Sequence, residues 1–151
     1  MDKLYIPGDL VMTNGVPLGT EQDVVYRVTS SDPSKTLKLD DGTVMKGVVR
    51  LDNYGAKELG DKGYLLAENG AWAKYIVPIP LTSKILEKNG WKSINGNYAL
   101  KIKNANHLVL EFTEDGIYTY INENTMLFTI KYIHELQRLL IGLGLNSEME
   151  V

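Results

Sequence analysis

The chain has 151 residues and no cysteine, carries 16 basic against 19 acidic side chains for a net charge of −3, and is 44% hydrophobic and 23% charged. That composition excludes disulfides, thiolate nucleophiles and cysteine-held zinc, and it means that phosphate binding would need a local basic patch working against the overall field. Folding at this size removes roughly 68 to 70% of the unfolded chain's surface from water, enough for one large domain or two small ones with a core of their own.

The stretch Met1-Asp2-Lys3-Leu4-Tyr5-Ile6-Pro7-Gly8 lacks the apolar run of a secretory signal, and no apolar stretch reaches the roughly 18 residues needed to span a bilayer. The expectation is a cytoplasmic protein without membrane contact. Next come short alternating runs between turn signals. Pro7-Gly8-Asp9 precedes Leu10-Val11-Met12, Asn14-Gly15 turns the chain, and Val24, Tyr26 and Val28 alternate with Val25 and Arg27. Ser30 to Ser34 reads as a loop, Thr36 to Leu39 as a strand, and Asp41-Gly42 as a tight hairpin leading into Thr43 to Leu51, where Gly47 signals a bulge or bend. Residues 52–63 read as a long surface loop, of the kind that is often functional. Asn69-Gly70 reads as a hairpin joining Tyr64-Leu65-Leu66 to Trp72 through Val77.

Five or six short strands in roughly 75 residues predict a small closed barrel, because closure removes the edges that so short a sheet would expose. Pro7-Gly8-Asp9-Leu10-Val11 resembles the Gly-Asp-x-Val start of many SH3-like barrels. The expected first domain, residues 1–77, is therefore an SH3-like barrel.

Val77-Pro78-Ile79-Pro80 interrupts the strand pattern, since alternate prolines remove ladder donors, and marks the junction to a second domain, residues 78–151, packed against the barrel. Thr82 caps a short helix over 83–89, with Ile85 and Leu86 facing inward and Gly90 ending it. Asn95-Gly96 signals a third hairpin. Tyr98-Leu100-Ile102, Leu108-Leu110-Phe112 and Ile117-Thr119-Ile121 then alternate as three strands. Ile130 to Gly144 reads as one long amphipathic helix capped by Thr129. Tyr132, Ile133, Leu136, Leu139, Leu140 and Leu143 fall within an arc about 120° wide, opposite Lys131, Glu135 and Arg138. The class is β-rich α+β: a barrel followed by an α-β-β-β-α unit whose last helix lies on an antiparallel sheet.

No chemistry-bearing motif withstands inspection. His134-Glu135 begins a His-Glu-x-x-His zinc string, but Arg138 holds the second ligand position and His107 is the one other histidine. Asp40-Asp41-Gly42 and Glu114-Asp115-Gly116 read as hairpin turns, where aspartate bonds its own backbone. There is no phosphate-cradling glycine string and no nucleophile elbow. The expectation is no catalytic site, no metal site and no cofactor.

Two surfaces remain. Ile130, His134, Gln137 and Ile141 form a second flank of the long helix, and a second apolar edge implies a second neighbour, here another protein or a second copy of the chain. Lys101, Lys103, Tyr118 and Tyr120 share the sheet face turned away from that helix, with Val109 and Glu111, and could stack bases and hold phosphates.

The strings Pro78-Ile79-Pro80-Leu81-Thr82 with Ile85 to Trp91, and Lys131 to Gln137 with Leu139-Leu140, resemble a family of small uncharacterised proteins of gut anaerobes, their prophages and mobile elements, over about residues 76–145. The resemblance implies an accessory protein of a phage or mobile element, in the host cytoplasm or on the virion, and brings no activity or site residues. The function expected is non-enzymatic protein–protein contact, with nucleic-acid binding as the alternative.

Overall fold

In a computed structural model that describes residues 4–122 and 124–151, the chain forms two antiparallel five-stranded sheets and two α-helices. Of the opening read for a secretory signal, Met1 to Lys3 lie outside the described residues. The chain divides into two compact units, Met1–Ile79 and Pro80–Val151.

The first unit holds β1 (Leu10–Thr13), β2 (Tyr26–Lys38), β3 (Val44–Asn53), β4 (Asn69–Trp72) and β5 (Ile76–Pro78), in the order β4-β3-β2-β1-β5. The sheet is open, with β4 and β5 at its edges, where a closed barrel had been expected. Closure would require these two to pair, yet they are four and three residues long and each is bonded on one side alone. Val24, Tyr26 and Val28 are buried as their alternation requires, together with Val11, Val49, Leu51 and Leu65.

Two sequence expectations change here. Ser30 to Ser34 is no loop: β2 runs through it as a bulge, three residues (Pro33, Ser34, Lys35) standing opposite Gly47 alone. Gly47 permits this with a φ of +80°, and a Cβ there would stand 3.3 Å from that of Ala73. Asn69-Gly70 is no turn either, since both residues pair with β3, opposite Leu51 and Arg50. The long loop consequently spans 54–68. The Asn53 side chain holds it by donating to the Leu65 carbonyl (2.8 Å) and accepting from the Leu65 amide (2.7 Å).

The second unit holds α1 (Ser83–Lys88), β6 (Lys92–Ile94), β7 (Asn97–Lys101), β8 (His107–Thr113), β9 (Gly116–Ile121), β10 (Thr125–Ile130) and α2 (Ile133–Gly142). Its strands lie in the order β10-β9-β8-β7-β6. The Asn95-Gly96 turn has positive φ at both residues, +52° and +85°, as a tight hairpin requires. Thr82 accepts from the Ile85 amide to start α1. The Trp91 amide then reaches back to the Leu86 carbonyl beyond Gly90, which closes the helix in a Schellman motif.

Leu108, Leu110, Ile117, Thr119 and Ile130 share one buried face of this sheet, and α2 adds Ile133, Leu136, Leu139 and Leu140 to the core. Sequence periodicity gave three strands; the structure adds β6 and β10 at the two edges. Ile130 belongs to β10, and α2 starts three residues later than its spacing suggests. The Glu135 carboxylate accepts from the amides of Lys131 (2.9 Å) and Tyr132 (3.0 Å), so those amides are spent on a cap and the helix begins at Ile133.

Candidate functional site

Strand β10 and the last turns of α2 flank a groove of about 380 Å³, lined by Met126, Leu127 and Phe128 of β10 and by Arg138, Leu139, Gly142 and Leu143. Met126 and Phe128, both on β10, are about half exposed. Large apolar side chains standing together in water mark contact surfaces more often than isolated ones do. The groove exists because β10 is bulged. Between Met126 and Thr129 the strand carries two residues, Leu127 and Phe128, opposite Thr119 of β9. The buried Thr119 hydroxyl satisfies the bulge by accepting from the Phe128 amide (3.1 Å) and donating to the Phe128 carbonyl (2.6 Å). The Phe128 backbone is thereby fixed while its ring stands out from the edge.

The flank expected to meet a partner is arranged differently. Ile130 (1% exposed), His134 (7%) and Gln137 (4%) are buried, and Ile141 (53%) is the one member of the four on the surface. The second neighbour implied by that flank is the chain itself. After α2, residues 145–151 run back beside it, and Gln137 donates to the Ser147 carbonyl at 3.2 Å.

On the opposite face of the sheet, Lys101, Val109, Glu111, Tyr118 and Tyr120 do come together by register: Lys101 stands opposite His107, Glu111 opposite Tyr118 and Val109 opposite Tyr120. Lys103 does not join them, being part of a 3-10 turn (Lys103–Ala105) after β7. The centre of this face is a shallow trough of about 210 Å³. Ala99 and Val109 form its floor, and Ile94, Asn97, His107 and Asn122 stand around it. Its electrostatics oppose phosphate, since Glu111 lies directly across from Tyr118 and the Tyr118 hydroxyl donates to Asp115 at 3.4 Å. Partial burial, then the negative charge of Glu111, hold the Tyr120 phenol above its usual pKa, so it is a neutral hydrogen-bonding group.

The acidic turns behave as turns. Asp41 accepts from the Thr43 amide at 2.9 Å, a bond that lowers its carboxyl pKa, and the Glu114-Asp115 pair links β8 to β9 where Thr113 stands opposite Gly116. Within the 54–68 loop, Asp61 accepts from the amides of Lys57 (2.8 Å) and Glu58 (3.0 Å), which ties the loop to itself. Among the described residues no three histidine, aspartate or glutamate side chains gather closely enough to hold a metal ion, and no helix is long and apolar enough to cross a membrane. The β10–α2 groove left no clear trace in the sequence: Thr-Met-Leu-Phe-Thr-Ile lacks an alternating pattern, and its one cue is a six-residue run with neither charge nor proline.

No family model, no curated protein and no solved structure matches this chain.

Proposed function

We propose that this chain is a non-enzymatic accessory protein of a phage or mobile element that acts by protein–protein contact through the β10–α2 groove. The observation that carries the reading is the half-exposed pair Met126 and Phe128 beside a largely apolar groove on an edge strand. The likeness of its 78–91 and 131–140 strings to proteins of prophages and mobile elements supports the setting, in the cytoplasm of a bacterial host or on a virion. The first unit is read as an SH3-like strand arrangement whose sheet stays open. The order β4-β3-β2-β1-β5, with a 3-10 turn (Ala73–Tyr75) before the last strand, supports it.

A photo-crosslinking amino acid at Phe128, introduced in the native host, tests the contact. The expected result is one discrete adduct that disappears when Met126→Ser and Leu143→Ser are added. Labelling that is diffuse or unchanged in that background would refute a contact at this groove. The second reading, nucleic acid, is favoured by the shared face of Lys101, Tyr118 and Tyr120 and opposed by Glu111. Salt-dependent retention on single-stranded nucleic acid, lost in Tyr118→Ala/Tyr120→Ala, would transfer the function to that face.

A further inference from the structure

The segment after α2 is held as a bound peptide is held. Its residues alternate, with Leu145, Ser147, Met149 and Val151 turned toward the body and Asn146, Glu148 and Glu150 exposed, the two-residue period of an extended chain lying on a surface. Met149 is its anchor, at 3% exposure. On either side of Met149 the grip is on backbone: Gln137 of α2 donates to the Ser147 carbonyl, and Asn89, the C-cap of α1, takes both polar groups of Glu150. Asn89 donates to the Glu150 carbonyl and accepts from the Glu150 amide, each at 2.8 Å. A carboxamide that pairs with one residue's amide and carbonyl imitates the edge of a β-strand, and it reads extended backbone with little regard for side chains.

Asn89 is oriented before the segment arrives. Its amide nitrogen also donates to the Ile85 carbonyl one turn earlier in α1, at 2.8 Å, and its backbone is fixed by the Schellman closure of that helix. The hinge of the segment is Gly144, with a φ of +72° and no heavy atom within 4 Å of where a Cβ would stand. The attachment includes one buried side chain, Met149, and three side-chain-to-backbone hydrogen bonds, all beyond a glycine.

We infer that the slot between Asn89 and Gln137 is a peptide-recognition site which the chain's own residues 145–151 occupy in cis. Its ligand class is an extended segment presenting methionine, or a similar unbranched apolar side chain, followed by a residue with free backbone amide and carbonyl. The site is separate from the β10–α2 groove and independent of the function proposed there. Occupation in cis lowers the apparent affinity for an outside peptide by the fraction of molecules whose slot is open.

The test uses the full chain and a fluorescein-labelled peptide with the sequence of residues 144–151. Met149→Ala weakens the internal occupant and leaves the slot intact, so this variant should bind the peptide about tenfold or more tightly than the unaltered chain by anisotropy. Adding Asn89→Ala should abolish the gain, and a peptide with aspartate in place of methionine should not compete. A folded Met149→Ala chain that binds the peptide no better than the unaltered chain overturns the inference. A second measurement needs no variant. The Glu150 amide should exchange with solvent at least about a hundredfold faster than the β8 amides, reporting local release of the segment. Exchange of Glu150 at the rate of β8 would show that the segment leaves with global unfolding alone, and would overturn the inference as well.

Discussion

Gly63 stands where no side chain fits. A Cβ there would lie 2.6 Å from the Tyr26 hydroxyl and 2.7 and 2.8 Å from the two methyls of Val24, and its φ of +77° is one that side chains disfavour. Tyr26 cannot yield easily, because its ring is fully buried and its hydroxyl accepts from the Glu21 amide at 3.0 Å. Burial also raises the Tyr26 pKa, so the phenol stays protonated. We predict that Gly63→Ala destabilises the first unit by about 2 kcal/mol, the combined cost of backbone strain and overpacking, read as a lower midpoint in urea. The same residue shows what single-residue patterns convey. Glycine density marked 52–63 as loop, but the need for this particular glycine comes from Val24 and from Tyr26 at the start of β2, nearly 40 positions earlier.

At the scale of elements, α2 shows how far periodicity carries. Ile133, Leu136, Leu139 and Leu140 are buried as their spacing requires. Its start is set by something periodicity does not contain, the Glu135 carboxylate accepting from two amides ahead of the first turn. Glu135→Ala should cost about 1 kcal/mol, seen as a lower midpoint in urea, and should speed hydrogen exchange at Lys131 and Tyr132; Glu135→Gln should recover much of both. Strand β10 escaped the sequence because an edge strand beside a bulge owes its pairing to a neighbour. Thr119, read in the sequence as an inward strand residue, turns out to bond the Phe128 backbone on both sides. The flank Ile130, His134, Gln137 and Ile141 was legible as a surface needing a neighbour. That the neighbour is a sheet position for Ile130 and residues 145–151 for Gln137 was not.

At the scale of the molecule, each unit has its own sheet and its own buried side chains, and each holds one of the two tryptophans, Trp72 on β4 and Trp91 after α1. Units with separate cores unfold as separate cooperative steps unless their interface couples them. With Trp91→Phe as background, fluorescence reports the first unit; with Trp72→Phe, it reports the second. We expect Gly63→Ala to lower the Trp72-reported transition in urea and to leave the Trp91-reported one in place. A joint shift of both would show that the units unfold as one.

The sequence by itself determined the β-rich class with two helices, the hairpins at Asp41-Gly42, Asn95-Gly96 and Glu114-Asp115, the bend at Gly47, the caps of α1 and the buried stripe of α2. These depend on neighbours a few residues apart, where turn chemistry, capping and side-chain period act. Tertiary structure alone decided that the first sheet is open, that β2 runs on through Pro33, that β10 exists and forms a groove with α2, and that Asn89 grips Glu150 from 61 positions away. Each of those depends on which distant backbone groups find one another, and that pairing is written in no local pattern.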